Sequence, residues 1–155
     1  MACSSTGRDT TLSIGAPSMT SHPFHYDPPK ARLCDSEIAI QKQCLAMVAA
    51  LFPRSRAAAV PNAGKRSQWA AQRAKAEGLS KGFPDLIIAG HSGLRPVLGV
   101  ELVGPLTAYC EIKAQSSLTP EQTDWLNFLH ASGHHCGVFR SDKTLEAKLK
   151  EWGFM

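Results

Sequence analysis

The run Gly82-Phe83-Pro84-Asp85-Leu86-Ile87-Ile88, with Cys110-Glu111-Ile112-Lys113 downstream, constrains this chain most. Proline cannot donate to a β-ladder, so Pro84 suits a strand entrance. Leu86, Ile87 and Ile88 form an unbroken apolar run, the pattern of a strand covered on both faces. Asp85 then sits at the mouth of a buried strand. From Tyr109 to Ala114 the side chains alternate: Tyr109, Glu111 and Lys113 share one face, while Cys110, Ile112 and Ala114 share the other. The Cα atoms of Glu111 and Lys113 are thus roughly 6.5–7 Å apart along the strand. Read as neighbours, the two strands bring Asp85, Glu111 and Lys113 together.

Two converging carboxylates can hold a hard divalent cation through oxygen ligands, as Mg²⁺ requires. Such a cation polarises a phosphoryl oxygen and lowers the pKa of a bound water. A lysine beside it can orient that water or stabilise charge on a phosphate. The same short patterns also fit an aspartate at a turn and a Glu–Lys pair on a half-exposed strand. From these residues alone both readings stand.

A length of 155 residues suits one domain plus a tail. No stretch approaches the ~20 apolar residues of a membrane span, and no basic region followed by an apolar segment marks a secretory leader. Five scattered cysteines, at 3, 34, 44, 110 and 136, form no CxxC pair. Cys44 and Cys110 fall on apolar faces, as reduced core residues of a cytoplasmic protein do. The net charge of +4 is unevenly spread. Between Arg54 and Lys81 seven cations (Arg54, Arg56, Lys65, Arg66, Arg73, Lys75 and Lys81) face Glu77 alone, so that this segment carries +6. Clustered positive charge indicates a polyanionic partner better than the isoelectric point does, although a solvated basic surface has the same composition.

Met1 to Pro29 is rich in Ser, Thr and Pro, and reads as a disordered tail that cannot offset its ordering entropy by burial. We set the domains as a tail over 1–30 and a folded domain over 31–155. Asp35 or Ser36 caps a helix running to about Leu51, with Ile40, Cys44, Met47, Val48 and Leu51 as its apolar stripe. Glu37 lies on that stripe and should point toward the sheet, although a first-turn glutamate also suits the helix dipole. Pro53 ends this helix, Arg56 to Val60 is a short strand, and Pro61 to Gly64 a turn. Ser67 caps a second helix to about Glu77, which Gly78 stops. Its Trp69 should pack against the body, and Arg66 and Arg73, seven residues apart, share a face.

An irregular or hairpin connection follows, with an extra strand over Val97 to Val103. It carries a rival carboxylate, Glu101, but position 103 is Val, whereas Glu111 is followed two residues later by Lys113. Thr119 and Pro120 form a strong helix start, with Gln122 at the capping-box position. Gly133 ends this helix, Cys136 to Phe139 is a strand, and Ser141 or Asp142 caps a last helix to Trp152. His130, His134, His135 and Cys136 match no closed zinc pattern, and adjacent histidines point apart on a strand. No P-loop and no Gly-x-Ser-x-Gly elbow is present. The resulting order is helix, strand, helix, strand, strand, helix, strand, helix. This is an α/β (α+β) sandwich around a mixed sheet of about four to five strands.

Pro-Asp, then 25 residues, then Glu-Ile-Lys resembles the PD-(D/E)XK nuclease superfamily. Three flanking blocks, Val60–Ser67, Glu77–Asp85 and Leu118–Leu126, resemble the VRR-NUC family, and the resemblance runs from about Ser36 to the end. It implies a restriction-endonuclease-like core and a metal-dependent nuclease. Asp85 and Glu111 would bind Mg²⁺ or Mn²⁺, with the Ile112 carbonyl as a further ligand. Lys113 would position the attacking water and stabilise developing charge. Glu37 would support the metal or its waters, and Gln122 would lie near the active site, touching water or phosphate. The basic segment would flank the cleft, making Asn62, Lys65, Arg66, Arg73, Lys75 and Lys81 the candidate DNA contacts. Small stand-alone members from phages and bacteria resemble homodimeric Holliday-junction resolvases of DNA repair and recombination. The expectation is therefore a structure-specific endonuclease for branched DNA, acting as a homodimer in the cytoplasm of a bacterial or phage-infected cell. The alternatives are a nuclease for single-stranded or linear DNA, a nucleic-acid-binding module that does not cut and, more distantly, a small-molecule hydrolase.

Overall fold

A computed structural model describes residues 22–29, 35–61, 80–92, 95–97, 100–102 and 104–155, together with 69, 72, 73, 76 and 78. Their elements, in chain order, are β1 (His25–Tyr26), α1 (Glu37–Leu51), β2 (Arg56–Ala59), β3 (Leu86–His91), β4 (Arg95–Val97), β5 (Val100–Leu102), β6 (Pro105–Ile112), α2 (Pro120–Ala131), β7 (His135–Phe139) and α3 (Asp142–Glu151). Five strands form the main sheet in the order β1-β7-β6-β3-β2. It is mixed: β1, β7 and β6 run parallel, while β3 is antiparallel to both β6 and β2.

The alternation of β6 divides two cores. Cys110 and Ile112 face one side, with Leu86 and Ile88, under α1 and α3. Helix α1 covers that side through Ile40, Cys44, Met47 and Val48, spaced as a 3.6-residue period demands, and α3 through Leu145 and Leu149. Tyr109 faces the other side, with Val138, Leu126, Leu129 and Trp125, under α2. The helices start on side-chain caps: Ser36 Oγ accepts from Ala39 N–H at 3.2 Å, and Ser141 Oγ from Thr144 N–H at 3.2 Å. Cys44, Cys110 and Cys136 are buried free thiols, and burial pushes Cys44 up to about 12. Among the described residues no helix is long and apolar enough to cross a membrane.

Three readings of the sequence need correction. The tail assigned to 1–30 ends inside the fold: His25 and Tyr26 pair with Gly137 and Val138, and Phe24 and Asp27 are buried. Two residues of strand are too short to show a period, and their hydrogen bonds come from β7, far along the chain. Trp69 does not pack on the body but is 74 % exposed. The extra strand read over Val97 to Val103 is instead two: Val97 belongs to β4 and pairs with Val100 of β5, in a separate two-stranded sheet that holds Glu101 opposite Pro96. Helical residues Gln72, Arg73 and Ala76 are exposed, and Gly78 adopts φ +87°, as the helix stop at that position anticipates. Asn62, Lys65, Arg66 and Lys75 lie outside the described residues, so their common face with Arg73 does too.

Candidate active site

Strand register decides where the carboxylates meet. Leu86 pairs with Cys110 in the antiparallel β3–β6 ladder, so one further step sets Asp85 across from Glu111. Paired residues project to the same face, here the face that α2 covers. Asp85 Oδ2 accepts the Ile112 N–H at 2.9 Å, which ties it to the backbone between Glu111 and Lys113. Lys113 Nζ lies 3.0 Å from Glu111 Oε1, and both side chains are nearly sealed, with Glu111 1 % and Lys113 8 % exposed. The structure thus brings Asp85, Glu111 and Lys113 together.

Gln122 joins them from α2. Its Oε1 accepts the Thr119 N–H at 2.9 Å, which completes the capping box, while its Nε2 donates to Glu111 Oε1 at 2.5 Å. This glutamine thus caps the helix and bonds Glu111 at once, because the helix begins directly over β6. Glu37 arrives from α1. Its Oε1 accepts from Ser116 Oγ at 2.8 Å and from Ala114 N–H at 3.4 Å, on the turn that follows Lys113.

The loop before Asp85 is fastened to the start of α2. Lys81 pairs with Glu121, a bond that holds the Glu121 carboxyl well below its ordinary range. Phe83 packs edge-on against Trp125, with ring centroids 5.0 Å apart. Gly82 has φ +82°, and a Cβ there would lie 2.6 Å from the Glu121 carbonyl carbon. Both the left-handed backbone and the close approach require glycine. Sequence reading passed over this role, although Gly82 stands within the Pro-Asp block. Lys81, a candidate DNA contact, is exposed but already engaged with Glu121.

The electrostatics of the site are unfavourable for two bare carboxylates. Burial pushes the Glu111 carboxyl up, the neighbouring Asp85 adds to this, and Lys113 only partly opposes it, leaving Glu111 at about 7. Asp85 is raised as well, first by burial and further by Glu37, against the Ile112 N–H and Lys113. Glu111 Oε2 is buried without a hydrogen-bond partner. An orphaned carboxylate oxygen beside a second carboxylate is short of positive charge, which a divalent cation would supply. Lys113 N–H bonds Phe139 O at 3.0 Å on the β7 side, so the alternating Ile112 backbone groups face Asp85 on the other. Among the described residues no three His, Cys, Asp or Glu side chains converge as a metal site. Two carboxylates and a carbonyl still suit Mg²⁺, which usually keeps several waters. His134 and His135 turn to opposite faces, against Tyr109 and Trp152 respectively.

The family model of the VRR-NUC domain matches residues 31–143. A solved structure of a VRR_NUC domain protein superposes with a TM-score of 0.55 at 17 % identity, over 77 % of this chain and 88 % of that one, a likeness of fold. No curated protein matched the chain. With its mixed sheet, flanking helices and the juxtaposed Asp85, Glu111 and Lys113, the chain belongs to the VRR-NUC family, nuclease domains of PD-(D/E)XK-like fold.

Proposed function

We propose that this nuclease is a Mg²⁺- or Mn²⁺-dependent endodeoxyribonuclease that hydrolyses phosphodiester bonds in branched DNA, of which the Holliday junction is the leading case. The observation that carries the metal-dependent reading is the buried Glu111 Oε2, which no donor group reaches, on a carboxyl that meets that of Asp85 with at most a shared proton between them. Asp85, Glu111 and the Ile112 carbonyl would hold the ion, which supplies Lewis-acid polarisation of the phosphoryl oxygen and a more acidic water. The protein's own groups do the rest. Gln122 Nε2 fixes Glu111 Oε1 and leaves Oε2 without a donor, open to an ion. Lys113, held against Glu111, keeps an ammonium where charge develops on the phosphoryl group and orients the attacking water. Glu37 braces the turn beyond Lys113 and supports that water.

Phosphate backbone contacts fall to the basic segment: Asn62, Lys65, Arg66, Arg73, Lys75 and Lys81. Such contacts position DNA without reading its sequence, and they weaken steeply with salt. Lys81 reaches phosphate by exchanging Glu121 for it. A small domain that must nick two symmetric strands has reason to act as a two-fold homodimer, in the cytoplasm of a bacterial or phage-infected cell.

Cleavage of an end-labelled four-way junction, beside its linear arms, with Mg²⁺, Mn²⁺ or EDTA and an Asp85→Ala control, tests this reading. Paired symmetric nicks that need metal and Asp85 are expected. Equal cutting of the linear arms would remove the branch preference, and tight binding without any cutting would remove the enzyme reading.

A further inference from the structure

We infer that Arg140 is a positioning residue of the nuclease site, and that it and Tyr26–Asp27 form one brace holding the turn that follows Lys113. The inference rests on the nuclease reading above.

Arg140 stands just beyond β7 and is 1 % exposed. A buried guanidinium is costly unless its donors are met, and it is usually paired with a carboxylate. Here the side-chain donors go to neutral oxygens. Nη1 donates to Ala114 O at 2.9 Å, and Nη2 to Ser116 O at 3.1 Å and Tyr26 Oη at 3.4 Å. Nε donates to Asp27 O at 2.9 Å, and the Arg140 backbone N–H to Asp27 Oδ2 at 3.0 Å. The fork thus grips two carbonyls of the Ala114–Ser116 turn with one edge and the N-terminal segment with the other.

Glu37 takes the complementary groups of the same turn, the Ala114 N–H and the Ser116 hydroxyl. The turn is therefore clamped from both sides, by a cation on its carbonyls and an anion on its donors. Lys113 directly precedes it and is itself tied to Phe139, the residue before Arg140. The backbone of Lys113 and the carboxylate of Glu37 share one rigid support, whose far end is the segment clipped on by β1. Displacing that support moves both groups relative to Asp85 and Glu111. An error of ~1 Å in such a constellation costs about 10²-fold in rate. Lysine keeps the charge but has no planar fork to span two carbonyls.

The test uses the full chain, with Arg140→Lys and Arg140→Ala beside wild type, on whichever DNA wild type cuts. Wild type that cuts nothing would defeat the nuclease reading itself, separately from this one. With active wild type, we expect Arg140→Lys to unfold cooperatively and to bind DNA within about twofold of wild type, while kcat falls about tenfold or more. Millimolar guanidinium chloride should restore part of the kcat of Arg140→Ala without raising its melting temperature, which a purely structural role would not produce. Should Arg140→Ala fail to fold, Arg140→Lys alone decides. Wild-type kcat in folded Arg140→Lys, or a loss that only follows its folded fraction or DNA affinity, would overturn the inference.

Discussion

Replacing Glu111 by glutamine should remove a pH dependence that the site builds into the fold. Glu111 has an ordinary value of 4.5 and is raised to about 7, first by burial and then by Asp85. The folded protein therefore keeps a proton that the unfolded chain releases above 4.5. This contribution to stability is full below 4.5 and is lost as pH climbs through about 7. Between about pH 5 and pH 8 the loss amounts to a few kcal/mol, at about 1.4 kcal/mol for each unit of pKa. Because Asp85 is raised too and loses its charged neighbour in Glu111→Gln, the difference between the two proteins reads the pair. The assay is urea unfolding across this range in EDTA. Wild-type stability minus that of Glu111→Gln should fall by roughly 2–3 kcal/mol toward the alkaline end. Saturating Mn²⁺ should offset the fall in wild type, since a ligand of the folded state stabilises it, and should act less on the variant. A difference that is flat or rises with pH in EDTA would refute the burial and charge argument.

Lys113→Ala should abolish cleavage and leave DNA binding largely intact by mobility shift; equal cleavage would remove lysine from the chemistry. Arg66→Ala with Arg73→Ala should weaken binding and lower the slope of log K against log salt by ~2, and an unchanged slope would place the DNA elsewhere. Gly82→Ala combines φ +82° with a Cβ at 2.6 Å from backbone, whereas Gly133→Ala meets φ +84° in open space. Denaturation should show a larger loss for Gly82, about 2–4 kcal/mol against ~1, with cleavage lost only there because Gln122 is displaced from Glu111. Removing residues 1–21 leaves every described contact in place, but removing 1–29 strips Phe24, β1 and the Tyr26 and Asp27 oxygens that Arg140 bonds. The longer truncation should cost at least about 3 kcal/mol in chemical unfolding; equal stability of the two would show the segment to be dispensable.

Much of the site was legible in the sequence because its information is local. Period-two alternation puts Glu111 and Lys113 on one face. An apolar run after proline marks the strand that Asp85 introduces. Ser36, Thr119 and Ser141 announce helix starts through the N–H groups that they satisfy. These signals need only a few consecutive residues, and the structure keeps them. The length of the β3–β6 ladder was less legible, since His91 and Pro105 join it only by pairing with each other.

What the tertiary structure alone decided is which distant groups answer one another. A two-residue strand has no period to read, so β1 exists only because β7 offers it an edge. Arg140 is a surface residue by type and is buried because two separated segments, Tyr26–Asp27 and Ala114–Ser116, turn oxygens toward one point. Gln122 serves cap and carboxylate together only where α2 starts above β6. Trp69, apolar by type, is exposed where an apolar anchor was expected. Local pattern fixes the conformation a segment prefers, whereas burial, pairing and raised carboxyl pKa values arise from neighbours that only the folded chain supplies.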